Sequence, residues 1–257
     1  MIRKRDGKKG QVTIFIIIGI IIVGLILILV IIPNPINPFY EKEIDINSNL
    51  KKCVETDFER VIELISIQGG VVEPENYFAY DGNKIEYACY TSEEYQTCVM
   101  QKPMLKKEIE KEILDYLGNK IQSCANSLVQ EFERRWYNVN SGEMSTSIEI
   151  IPNNILINLK WPLTITKESS REYREIRVSF ASRLYNLIYI ANSILNWEAR
   201  YGDSESTLYM SYYPNIEVKK KKQSEGTTIY LLEDRVTGDK FNFASRSLVW
   251  PVGLGLS

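Results

Sequence analysis

The sequence predicts an α+β fold, with one amino-terminal transmembrane helix ahead of an extracytoplasmic domain built from long helices, antiparallel hairpins and a meander. Three observations predict it. Residues 12–32 run for 21 positions without a charge. Two later segments repeat apolar residues at helical spacing over many turns, and the second half alternates apolar and polar residues with period two between turn-forming pairs. Runs of helix and runs of hairpin, without regular strand–helix alternation, point to α+β rather than to a doubly wound sheet. No internal repeat is present.

The apolar run from Val12 to Ile32 is interrupted only by Thr13, Gly19 and Gly24. At about 1.5 Å per residue it measures roughly 31 Å, the thickness of a bilayer's hydrocarbon core. A buried core helix normally keeps a polar stripe, and this one has none. Arg3, Lys4, Arg5, Lys8 and Lys9 precede it against a single Asp6, whereas Glu41, Glu43 and Asp45 follow Pro33, Pro35 and Pro38. The positive-inside rule then puts the amino terminus in the cytoplasm and residues 33–257 outside, in an integral, single-pass protein of the cell membrane. No small-residue cleavage site follows the run, so it is expected to remain as a signal-anchor. The expected organisation is a basic leader over 1–11, the span over 12–32, a Pro-rich linker over 33–46, and a domain over 47–257 with a sub-boundary near 137–145.

Within that domain, Leu50, Val54, Phe58, Val61, Ile62 and Ile65 form a helical stripe that Gly69-Gly70 ends. Residues 77–80 and 84–90 flank Asp81-Gly82-Asn83 and read as a hairpin. A second long helix is expected over 103–136, with Ile109, Ile113, Leu117, Ile121, Cys124 and Leu128 on one face and Gly118 as a break. Residues 145–166 read as a hairpin about Pro152-Asn153-Asn154, and 171–180 as a third strand. A helix over 182–201 ends at Gly202. Residues 216–222, 227–234 and 240–243 complete an antiparallel meander.

Composition narrows the chemistry. The chain has 257 residues, a net charge of −2 and no histidine, which removes every Ser-His, Cys-His and His-metal mechanism. The leader carries +4 and the remainder −6, a mildly acidic exterior that disfavours nucleic acid. Lys219 to Lys222 is the one basic run, and it reads as the solvated stretch of an edge strand. Four cysteines in an extracytoplasmic domain suggest two disulfides. Cys53 and Cys124 lie on the apolar stripes of the two long helices, and Cys89 and Cys98 stand nine apart, so the expected pairs are Cys53 with Cys124 and Cys89 with Cys98. The lack of any Cys-x-x-Cys argues against zinc, and neither metal nor cofactor is expected.

No catalytic element stands out. Glu93-Glu94, and Glu108, Glu110 and Glu112, could be taken for paired carboxylates of a glycoside hydrolase, but they sit among Lys106, Lys107 and Lys111 as on an exposed helix face. Surface tyrosines make low-entropy contacts with proteins or sugars. Tyr77, Tyr80, Tyr87, Tyr90 and Tyr95 around the first hairpin, and Tyr209, Tyr212 and Tyr213 further on, are the candidate binding surface.

The junction Lys8-Lys9-Gly10-Gln11, followed directly by the apolar helix, resembles the class III signal peptide of archaeal type IV pilins and archaellins. The resemblance covers residues 8–32. It implies cleavage after Gly10 by a prepilin-type peptidase, with Lys9, Gly10 and Gln11 as the processing site, and packing of the apolar helix against itself or other pilin-like subunits. Gln11 and Thr13 fit the start common in that family. The fifth mature position, often Glu, is Phe15, so the carboxylate that registers one pilin helix against another's amino terminus is missing. More loosely, the whole arrangement resembles a group of archaeal membrane-anchored proteins, a likeness that implies no activity. Three functions therefore stand as expectations. The first is a non-enzymatic, membrane-anchored surface protein with an interaction or envelope domain; the others are a pilin-like filament subunit and an anchored envelope hydrolase using carboxylates.

Overall fold

The computed structural model describes the backbone of residues 10–31 and 45–249, and the side chains of 14–27 and 45–249. The chain divides into two units, Met1–Ile44 and Asp45–Ser257. In the first, helix α1 runs over Gly10–Ile31. Among the described residues, however, no helix is long and apolar enough to cross a membrane. This overturns the transmembrane helix expected over residues 12–32. Lys9 and nearly all of the expected linker lie outside the described residues, as does the side chain of Gln11; Gly10 is the first residue of α1.

The second unit is α+β. It begins with α2, Ile46–Ile67, capped by Asp45, whose carboxylate accepts the Asn47 backbone N–H at 3.1 Å. Gly69 and Gly70, at φ 83° and 91°, turn the chain out of the helix. A Cβ on Gly69 would stand 2.8 Å from that of Glu86, so only glycine lets this corner lie against the next strand pair. That pair is the expected hairpin, β1 (Tyr77–Tyr80) and β2 (Asn83–Tyr90), joined through Asp81 and Gly82, both at positive φ. A short β3, Val99–Met100, pairs back onto β2.

Helix α3, Leu105–Arg134, passes through Gly118 without a break. Four strands follow: β4 (Asn138–Ser141), β5 (Ser145–Ile151), β6 (Asn154–Thr166) and β7 (Ser170–Ala181). The long β6 carries β7 along one edge, while on the other β5 pairs with its first half and β4 with its second. Strict alternation along β6 buries Ile155, Ile157, Leu159, Trp161, Leu163 and Ile165. Helix α4, Leu184–Tyr201, ends on Gly202 at φ 78°, and a short α5, Ser206–Tyr212, follows. The last strands are β8 (Ile216–Lys222), β9 (Thr227–Asp234) and β10 (Lys240–Arg246).

They form the expected meander, but its final strand has a second partner. β10 pairs with β9 antiparallel and with β2 in parallel, giving the order β1-β2-β10-β9-β8 with β3 attached to β2. α2 packs against α3 and touches both sheets, α3 covers β5 and β4, and α4 lies on β10, β2, β3 and β9. Tyr230, Phe241 and Phe243 are fully buried beneath it.

Both disulfides pair as expected, Cys53 with Cys124 and Cys89 with Cys98, at Cα separations of 6.0 and 5.3 Å. The first clamps α2 to α3 and the second ties β2 to the strand that precedes α3. No cysteine is left free.

Candidate binding face

Helix α4 buries Leu184, Leu187, Ile188, Ala191, Ile194 and Leu195. Its other face holds Tyr185, Tyr189, Ser193, Trp197 and Tyr201, each four residues from the last, which makes them one ridge on the helix surface. Tyr189, Trp197 and Tyr201 are 61%, 50% and 51% exposed. The Trp197 and Tyr201 rings lie 4.8 Å apart, and the Arg200 guanidinium sits 5.3 Å from the Tyr201 ring centre.

Ser193 leaves a gap in the row of rings, and Tyr209 of α5 reaches into it, its hydroxyl 3.0 Å from the serine Oγ. α5 is started by Glu205, whose carboxylate accepts the Thr207 N–H at 3.0 Å. Packed beside β8, the helix adds Leu208 and Tyr212, 55% and 79% exposed, and Tyr213 follows at its end. Tyr209 thus brings one ring of α5 onto the ridge of α4.

Of the tyrosines singled out in the sequence, Tyr209 meets α4 through Ser193, and Tyr212 and Tyr213 lie at the end of the same short helix. The other five do not form one surface. Tyr87 is buried, its hydroxyl 2.7 Å from Thr227 Oγ1; Tyr80 and Tyr90 pack against the cluster of Ile85, Ile229 and Ala244. Tyr77 lies under the Lys84 ammonium, and only Tyr95 of the group is widely exposed. Sequence reasoning missed Tyr185, Tyr189, Trp197 and Tyr201. Their i+4 recurrence was the available signal, hidden because the helix was read only for its apolar stripe.

Beneath α4 sits a buried acid. The Glu198 carboxylate, 1% exposed, accepts hydrogen bonds from the Tyr230 hydroxyl and, at 3.0 Å, from Ser245 Oγ. Burial pushes its pKa up against those two hydrogen bonds, and burial likewise raises that of Tyr230. Ser245 Oγ also lies 3.5 Å from Cys98 Sγ, so this network joins α4 to β9, β10 and the shorter disulfide. On the neighbouring surface Lys220 bonds Asp203 and the Ser204 carbonyl, and Lys222 bonds Asp203 at 3.1 Å. Burial raises the Asp203 pKa, but the two ammoniums outweigh it and hold the carboxyl below its ordinary value. Lys220 and Lys222 of the basic run are thus paired, on an edge strand.

The carboxylates that could have served hydrolysis have structural partners. Glu110 accepts the Ile150 N–H at 2.8 Å and the Lys106 ammonium at 2.5 Å, pinning α3 to β5. Glu112 accepts the Val72 N–H at 3.0 Å, Glu108 pairs with Lys102, and Glu93 accepts from the Gln96 amide. A groove of about 420 Å³ between the middle of α2 and the start of α4 is lined by Phe58, Ile62, Glu63 and Asp239. Asp239 is occupied there, accepting from Ser182 Oγ at 3.1 Å and from the Arg183 N–H. Among the described residues no cluster of three or more Cys, Asp or Glu could hold a metal ion. No family model, curated protein or solved structure matches the chain.

Proposed function

We propose that the protein is a non-enzymatic interaction protein of the cell surface, whose Asp45–Ser257 unit works outside the cytoplasm and binds through the outer faces of α4 and α5. The observation that carries this reading is the ridge of exposed rings centred on Tyr189, Trp197 and Tyr212. Aromatic side chains left in water on a rigid helix are a cost to solubility unless a partner covers them. Use of all four cysteines in disulfides supports an oxidising compartment, and the structural employment of Glu108, Glu110 and Glu112 supports binding rather than hydrolysis.

Replacing Trp197 and Tyr212 together by alanine in the full chain is expected to abolish its retention on isolated cell envelopes while leaving its thermal unfolding midpoint nearly unchanged, since both side chains are exposed. Retention equal to that of the unaltered protein would sink the reading.

A second reading rests on α1, where Ile16, Gly19, Ile20, Val23, Gly24 and Leu27 line a shallow apolar groove. Two glycines in such a groove allow another helix to approach closely, as a pilin-like subunit processed after Gly10 by a prepilin-type peptidase would require. Amino-terminal sequencing of native material tests it: a chain beginning at Gln11 and recovered in sheared surface fractions supports filament assembly, and an intact Met1 refutes the processing.

A further inference from the structure

The ridge on α4 and α5 has a chemistry of its own. The chain as a whole is 25% charged, yet between Leu184 and Trp197 and throughout α5 there is no charged residue; on the α4 face Arg200 is the single ion, and Glu198 points into the core. Asn186, Asn192 and Asn196 stand among the rings, half-buried or exposed, with no hydrogen-bond partner for their amides among the described residues. Faces of Tyr and Trp carry negative charge density that attracts weakly positive C–H groups, and free amides both donate and accept hydrogen bonds. Together they match a ligand with apolar C–H faces, a hydroxyl-bearing rim and no net charge.

Shape narrows the choice further. From Tyr185 to Tyr201 the ridge is about 24 Å long and one helix wide. A protein partner of ordinary affinity covers some 20–30 residues on each side, with aromatic and Arg anchors inside a broad polar rim. This strip offers about half that number of residues in a line, the footprint of a chain-like molecule. Its support is rigid, because the opposite side of α4 is fixed to the sheet by fully buried Leu187, Ala191 and Leu195. Few rotamers therefore remain to be frozen on binding.

We infer that the α4–α5 ridge binds a neutral, linear oligosaccharide or polysaccharide, with Tyr189 and Trp197 stacking on sugar faces and Asn192 and Asn196 bonding ring hydroxyls. The inference rests on the reading of this face as a binding surface and gives that surface its ligand class.

Native affinity electrophoresis of the full chain tests it, with hydroxyethylcellulose, glycol chitin, mannan or dextran cast in the gel and heparin as the charged comparison. At least one neutral polymer should retard the protein, and isothermal titration with that polymer should be insensitive to added salt, because no ion pair forms. Trp197→Ala and Tyr189→Ala should each weaken binding about tenfold, the scale of one lost stacking contact. Trp197→Phe should restore much of the loss, and Tyr95→Ala, on another surface, should change nothing. The proposal is overturned if none of the four neutral polymers retards the protein, if only heparin does, or if retardation is the same in Trp197→Ala. Should the polymers fail while the Trp197 and Tyr212 double variant still loses envelope retention, the ligand class is wrong and the binding face stands. If that retention also survives the double variant, both fall.

Discussion

Glu198 shows how one residue sets a pH response. Burial holds its carboxyl above the ordinary 4.5 against the hydrogen bonds from Tyr230 and Ser245, whereas in the unfolded chain it titrates normally. From about pH 4.5 upward the native state therefore binds more protons than the unfolded one, and this group's contribution to stability, whole below that pH, is lost as the pH rises. Glu198→Gln keeps an acceptor for Tyr230 and removes the titration. The expected outcome is a flatter dependence of the melting temperature on pH between about 4.5 and neutrality, followed by circular dichroism; a variant that copies the unaltered slope would refute the assignment. Nothing in the sequence marked this residue, since a single Glu on a helix reads as solvated until a strand brings Tyr230 to it. Tyr87 is the converse case. Its phenol looked like surface in a Tyr-rich hairpin and is buried because Thr227 from a distant strand supplies a hydroxyl for it.

At the level of elements, local pattern was a good guide wherever one face decides the structure. The α2 stripe with its Gly69-Gly70 corner, the Asp81-Gly82 hairpin and the alternation along β6 are all written in neighbouring residues. Three elements escaped: α5 is a short, uncharged helix of about two turns with no buried residue, β3 is two residues that only β2 makes legible, and β4 is a four-residue strand of Asn, Val and Ser that only β6 makes legible. The disulfides act at this scale. By loop entropy the 71-residue separation of Cys53 and Cys124 corresponds to about 4 kcal/mol and the nine-residue separation of Cys89 and Cys98 to about 2.5 kcal/mol. The double substitution Cys53→Ser, Cys124→Ser is therefore expected to lower the urea midpoint more than Cys89→Ser, Cys98→Ser does. The reverse order would mean that the contact of Cys98 Sγ with Ser245 outweighs the longer loop.

For the whole molecule, the decisive pairing is the least local one. The parallel contact of Tyr87, Cys89 and Tyr90 with Ala244, Ser245 and Arg246 has no signature in either segment, because a strand's sequence does not name a partner some 150 residues away. With it, the last strand becomes a central one. A chain ending at residue 239 would lose fully buried Phe241 and Phe243 and leave both β2 and β9 with an open edge. Loss of cooperative unfolding and of near-ultraviolet dichroism is expected for that truncation, and a native-like spectrum would overturn the central role of β10. The same arrangement fixes a waiting time in biosynthesis. At about 5–20 residues per second, β2 emerges some 8–30 s before β10 is made, and during that interval one long edge of the first hairpin stands open to foreign strands. Over that interval the nine-residue bridge from Cys89 to Cys98 fixes β3 along the opposite edge of β2, so the side that β10 will fill stays uncovered until the final strand arrives.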